Sequence, residues 1–221
     1  MDGKTAIIAG ATGLVGKELL QLLLQGKEYE KVIALVRRPL GVSDPKLKEV
    51  ITDFSRLQDY EQHFSADDVF VCLGTTIKKA KTQEAMYQVD VEYPIAIGEL
   101  AKKKGAKHYL IISSMNANSK SPIFYSRMKG ELEEKSKSLS FEKLSIFRPS
   151  LLLGKRQEFR LGEQFGALFS KGLRFLFFGP LRKYKAIEGK TVAKAMYNVA
   201  QGNQTGASIY SSDEIETIGS R

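Results

Sequence analysis

Apolar residues fall into two alternating patterns along the first two thirds of the chain. Short unbroken runs at 5–10 (TAIIAG), 31–36 (KVIALV), 49–53 (EVITD), 68–74 (DVFVCLG), 108–114 (HYLIISS) and 141–149 (FEKLSIFRP) read as strands. Between several of them lie longer stretches with apolar residues three and four apart, at 14–25, 83–104 and 125–138, which read as helices. Gly26 ends the first helix, and Pro94 marks an irregularity inside the second. Unbroken apolar runs suit strands covered on both faces. Helical connections of this length suit right-handed crossovers between parallel neighbours. The pattern predicts an α/β fold built on a parallel sheet. Farther on, 189–202 reads as a helix closed by Gly202, and 208–212 as a further strand. The stretch 150–188, rich in Phe, Gly and Arg, predicts no element. No composition break divides the chain, so a single domain is expected. Residues 1–149 would form its cofactor-binding core, and residues 150–221 a small substrate-side elaboration.

The first strand runs into GATGLVG and then into a helix. Gly10 suits the tight turn, Gly13 lets a pyrophosphate approach the backbone, and Gly16 allows close helix–sheet contact. Ala11, Thr12, Leu14 and Val15 complete the loop that would bring phosphates to the helix N-terminus. The second strand ends in Arg37 and Arg38, where an NAD-selective site would hold an acid. Arginine there suits a 2′-phosphate, so NADP(H) is preferred over NAD(H). Asp53, after the third strand, either accepts from an adenine amino group or caps the next helix.

Tyr125 and Lys129 stand four apart on a predicted helix and share a face. An ammonium beside a phenol favours the phenolate, which suits proton exchange with a substrate oxygen. Ser113 and Ser114 end the fifth strand, and either hydroxyl could orient a substrate carbonyl.

These residues resemble the short-chain dehydrogenase/reductases, and the GxxGxxG spacing resembles their extended and atypical branches. More narrowly, CLGTTIKKA (72–80), QVDVEYP, FYSRMKGELE and IFRPSLLLGKRQEFRLGE (146–163) resemble the atypical NADPH-binding oxidoreductases related to the Tat-interacting protein. The resemblance runs nearly end to end. It implies a Rossmann-type doubly wound parallel sheet of about seven strands in the order 3-2-1-4-5-6-7, Tyr125 as acid/base, and Lys129 as the ligand of the nicotinamide ribose. It places Leu73, Gly74 and Thr75 along the adenosine side. Arg148, Pro149, Leu151 and Leu152 would approach the nicotinamide end, and Arg37 would contact the 2′-phosphate. One departure stands out: the classical branch carries an asparagine in the fourth helix, and the local match here is Val89-Asp90.

Composition narrows the alternatives. Of 221 residues, 43% are hydrophobic, enough for a sizeable core. The net charge of +9 is spread in small clusters (Lys78, Lys79 and Lys81; Lys102 to Lys104; Arg182, Lys183 and Lys185), so solvated faces explain it better than specific nucleic-acid binding. The single cysteine, Cys72, excludes an intramolecular disulfide and suits a buried position. His63 and His108 with one cysteine are too few for a zinc site. No GxSxG elbow or Walker loop is present. The N-terminus lacks a signal-peptide layout, and no apolar run approaches the ~20 residues that span a bilayer. No membrane insertion is expected, and a cytoplasmic protein, monomeric or homodimeric, is the default. Arg174, Phe175, Phe177 and Phe178 suit a pocket wall or an oligomer contact better than base stacking, and 157–162 could be a substrate loop or a surface turn. The expected function is an NADP(H)-dependent oxidoreductase of a small carbonyl or alcohol, with a cofactor-sensing regulator as the alternative.

Overall fold

The computed structural model describes residues 3–153 and 185–221. Its strands are β1 (Lys4–Ala9), β2 (Tyr29–Val36), β3 (Leu47–Ile51), β4 (Asp68–Val71), β5 (His108–Ile112), β6 (Lys143–Arg148), β7 (Leu152–Leu153), β8 (Ile187–Glu188) and β9 (Gly206–Ser211). Its helices are α1 (Leu14–Gln25), α2 (Ile77–Ala80), α3 (Gln83–Tyr87), α4 (Tyr93–Lys103), α5 (Phe124–Ser138), α6 (Gly189–Ala200) and α7 (Ser212–Gly219). Seven strands make one parallel sheet in the order β3-β2-β1-β4-β5-β6-β9. That is the expected doubly wound order, with β9 as the seventh strand. β7 and β8 pair in a separate two-stranded parallel ladder.

The unbroken apolar runs are explained by two cores, one on each face. Ala6 and Ile8 of β1 pack with Leu19 and Leu23 of α1 and with Val192 and Met196 of α6. Ile7 and Ala9, pointing the other way, pack with Ile97 of α4 and with Met128 and Leu132 of α5. The central strands β4 and β5 are buried throughout. The described part of the C-terminal third, residues 185–221, supplies the seventh strand and two helices that cover one face of this sheet.

The elements depart from the hydrophobic pattern in three places. β4 stops at Val71, and Cys72–Gly74 turn out beside the glycine loop, although the Cys72 N–H still bonds Ala9 O at 2.8 Å. The stretch read as one helix over 83–104 is α3, a π-turn at Gln88–Glu92, and α4. In the π-turn the Tyr93 N–H reaches back five residues to Gln88 O. Pro94 has no N–H, so a regular helix here would lose a hydrogen bond at this point. Helix α7 escapes the pattern, although its capping box, Ser211 with Glu214, is written in the sequence.

At the amino ends of the strands, opposite the glycine loop, lies a buried polar cluster. Asp68 accepts from Tyr29 OH at 2.6 Å and Lys4 Nζ at 3.1 Å. His108 Nε2 meets Ser145 Oγ at 2.9 Å, and its Nδ1 stands 3.7 Å from Asp68 Oδ1. Burial, with Lys143 and Lys4 nearby, pushes His108 down to about 4. The folded chain keeps this histidine neutral, so acidification protonates the unfolded chain first and stability falls from pH 6.5 downwards. Burial raises the Asp68 carboxyl, which works in the opposite sense. Because Asp68 is common to both proteins, comparing wild type with His108→Gln isolates the histidine. Between pH 7 and pH 5 the wild type should lose about 2 kcal/mol more than the variant. Equal losses in urea titrations would show that His108 takes up its proton without cost in the folded state.

Candidate active site

In a parallel sheet all carboxyl ends open on one edge, and a crevice forms where the strand order reverses. Here it reverses at β1, between β2 and β4. The glycine loop fills that point, and each glycine has its own reason. Gly10 sits at φ +88°, and a Cβ there would lie 2.6 Å from the Cys72 carbonyl. A Cβ on Gly16 would lie 2.1 Å from Gly10 O, and one on Gly13 3.2 Å from the same atom. Gly13 is the N-cap of α1 and brings no side chain to its first turn. The loop is therefore a bare backbone cradle at a helix N-terminus, which fits a pyrophosphate. Thr12 and Leu14 reach its surface, whereas Ala11 and Val15 are buried and present only backbone to the cleft.

On the β2–β3 side, Arg37 and Arg38 are exposed just past β2. Asp53 does not cap a helix. The following 3-10 segment begins at Leu57 with Arg56 as its cap. Asp53 Oδ1 instead accepts from Ser55 N at 2.9 Å and Ser55 Oγ at 2.8 Å, which holds its carboxyl below the usual range. Its neighbour Phe54, at φ 68°, stacks on Tyr93 with ring centroids 5.6 Å apart. Burial raises the Tyr93 hydroxyl, with Asp53 and Glu92 pushing the same way and Arg37 opposing them. Phe54 and Tyr93 carry no sequence signal for this stacking. Leu73, Gly74 and Thr75, half-buried, line the β4 side against the glycine loop.

Helix α5 supplies the chemical end. Tyr125 is half-buried, and Lys129, one turn on, is 2% exposed. The Lys129 ammonium pairs with Asp90 Oδ1 at 2.8 Å, and Asp90 Oδ2 accepts from Thr75 N at 2.8 Å. The position that lacks the asparagine of the classical branch thus holds a buried carboxylate bound directly to the lysine. A second turn along α5, Glu133 is 3% exposed. It takes Ser113 Oγ at 2.5 Å and both Arg148 Nε at 2.9 Å and Arg148 Nη2 at 2.6 Å. These bonds hold the Arg148 guanidinium above its ordinary range.

The two serines are thereby separated. Ser113 is committed to Glu133, while Ser114 Oγ is buried with no hydrogen-bond partner among the described residues. Pro149, buried, and Leu151 and Leu152, half-buried, lead from β6 into β7 on the same edge. Residues 157–162, Arg174, Phe175, Phe177, Phe178, Arg182 and Lys183 lie outside the described residues. Asp90 and Glu133 were missed in the sequence. For Asp90 the available signal was an acid four residues before the helix-perturbing Pro94. Glu133 offered only its i+4 spacing from Lys129.

A parallel sheet with a glycine cradle at its switch point and a Tyr-x-x-x-Lys pair beside it defines an NAD(P)-dependent oxidoreductase fold. The chain belongs to the NAD-dependent epimerase/dehydratase family, whose profile matches residues 6–216. It is 38% identical to the protein HTATIP2 of Rattus norvegicus over 206 residues, covering 90% of this chain and 81% of that one. It is 32% identical over 198 residues to the protein fmp52, mitochondrial, of Emericella nidulans, covering 86% and 84%. The solved structure of MoeE5 in complex with UDP-glucose and NAD shares its fold at TM-score 0.69 and 16% identity, covering 98% of this chain and 81% of that one. The Bordetella bronchiseptica enzyme WbmH in complex with NAD+ matches at TM-score 0.68 and 18% identity, covering 95% and 75%. One expectation is overturned: relatives from several fungi are named mitochondrial, so the cytoplasmic default does not stand. No described helix is long and apolar enough to cross a membrane.

Removing one member of a buried ion pair strands the other charge. Here Glu133 is buried but Arg148 is partly exposed, so water offsets part of the stranded charge and Glu133→Ala should destabilise the protein by about 1–3 kcal/mol. Glu133→Ala with Arg148→Met should recover much of that loss in chemical denaturation. No recovery would show that Glu133 acts through Ser113 alone.

Proposed function

We propose that this protein is an NADP(H)-dependent oxidoreductase that interconverts a carbonyl and an alcohol on a small molecule. What supports the reading is that Lys129, one turn after Tyr125, pairs with Asp90, which also holds the Thr75 N–H on the segment beside the glycine cradle. When bound, the nicotinamide supplies or accepts the hydride. Tyr125 gives a proton to the carbonyl oxygen in reduction and takes it back in oxidation. Lys129 places a fixed positive charge beside that exchange and has N–H donors for the nicotinamide ribose. Ser114, whose hydroxyl has no partner among the described residues, orients the carbonyl oxygen, and Ser113 supports the strand end through Glu133. Arg37 and Arg38 favour a 2′-phosphate because no acid stands at the end of β2. Leu73, Gly74 and Thr75 flank the adenosine side, and Asp53 is available to an adenine amino group. Arg148, Pro149, Leu151 and Leu152 wall the nicotinamide end.

A second reading, a cofactor-binding regulator with little turnover, is favoured by one observation. The Lys129 ammonium is already engaged by a carboxylate.

A ligand that binds only the native state raises its melting point. NADPH and NADP should raise Tm more than NADH and NAD, and Arg37→Ser should weaken NADPH about tenfold to a hundredfold while sparing NADH. Equal shifts from all four nucleotides would remove the NADP preference. Tyr125→Phe should abolish carbonyl turnover and leave NADPH affinity intact. Undiminished turnover in that variant would refute the acid/base role, whereas tight binding with no turnover across a carbonyl panel would favour the regulator.

A further inference from the structure

Beyond the proposed residues, and resting on that reading of the site, we infer that Asp90 is a positioning residue. It fixes the Lys129 ammonium and the Leu73–Thr75 loop relative to each other. Asp90 is 1% exposed and lies in the π-turn at Gln88–Glu92. The extra residue in a π-turn rotates the side chains that follow out of helical register, and such turns cluster at functional sites. Here the carboxylate joins three elements. One oxygen holds Lys129 of α5, and the other holds the backbone of Thr75, on the segment facing the glycine loop.

A buried ion pair is a weak device for stability alone, because an apolar pair of similar size does as well. This pair sits instead where charge has a use. Tyr125 stands one turn before Lys129 and is half-buried. An ammonium has three N–H donors, and Asp90 takes one, so the direction of the others is set by the carboxylate. The same carboxylate balances the lysine's charge, which lets the ammonium stay buried beside the cleft. Asp90 touches none of the reacting groups itself. It acts through Lys129 and through Thr75.

Asparagine at position 90 keeps an acceptor for the Thr75 N–H but drops the charge that holds Lys129. The test compares wild type, Asp90→Asn and the doubly neutral Asp90→Asn/Lys129→Met. NADPH affinity is followed by nucleotide fluorescence, and Tm by circular dichroism. The double variant leaves no stranded charge and serves as the folded reference. Asp90→Asn should weaken NADPH about tenfold. Adding Lys129→Met should change affinity less than about twofold further, because the lysine is already out of place. Where a substrate is turned over, kcat should fall far more than KM changes. The inference is overturned if Asp90→Asn moves Tm alone, or if the double variant loses a further tenfold, which would show Lys129 working without Asp90. Wild type that binds NADPH but turns nothing over would sink the enzyme reading alone, since the affinity comparison still decides the role of Asp90. Wild type that binds no nicotinamide nucleotide would overturn both.

Discussion

Helix α5 carries Lys129 and Glu133 one turn apart on a buried face, and an unpaired charge in such a place costs several kcal/mol. Each charge therefore needs a partner from another element. Lys129 finds Asp90 on the π-turn before α4, and Glu133 finds Arg148 at the end of β6 and Ser113 at the end of β5. Together these pairs tie α5 to both sides of its own connection. Tyr125, half-buried one turn before Lys129, rides on the helix that these pairs lock. The same contacts consume the hydroxyl of Ser113, whereas that of Ser114 has no partner among the described residues.

The glycine loop imposes a second, steric constraint. Gly10 lets the end of β1 pass the carbonyl of Cys72, and Gly16 lets α1 start against Gly10 itself. Similar closeness recurs at Gly189, where a Cβ would stand 2.9 Å from Leu14 O. Helix α6, from the last third of the chain, is thereby seated beside the cradle, and its small residues Ala193 and Ala195 pack in the α1 core. On α5, Gly130 follows Lys129 and leaves room for the Asn118–Ser119 backbone to cross. Backbone-to-backbone approaches thus shape both ends of the cleft, one beside the phosphate cradle and one beside the Tyr125–Lys129 pair.

Fold likeness to MoeE5 in complex with UDP-glucose and NAD, and to WbmH in complex with NAD+, extends over nearly the whole chain at 16% and 18% identity. It describes the scaffold and says nothing of the substrate, because reaction and specificity reside in the side chains grafted on it. The direct Asp90–Lys129 pair and the Glu133–Arg148 pair are properties of this chain's own site. The charge clusters at Lys78, Lys79, Lys81 and Lys102 to Lys104 are exposed, in keeping with solvated faces. Cys72 is buried beside the glycine loop, as its apolar run implied.

Much of this was legible in the sequence because it is local. Strands and helices repeat over two and 3.6 residues, the glycine loop is seven residues long, and Tyr125 and Lys129 are neighbours on one helix. Those features determined the fold class, the positions of the first six strands along the chain, and the candidate cradle and Tyr–Lys pair, while the order of the strands in the sheet came only from the family resemblance. Tertiary structure decided what depends on distant partners. Asp90 lies 39 residues before Lys129, and Ser113 lies 20 before Glu133. No spacing rule links such pairs, so which serine is free and what balances the lysine emerge only when the strands assemble. The seventh strand β9 shows the same limit, since its pairing with β6 rather than its own weak pattern defines it. Periodicity reports which face a residue takes within its element, while the partner of a buried charge is chosen by whichever element packs against that face.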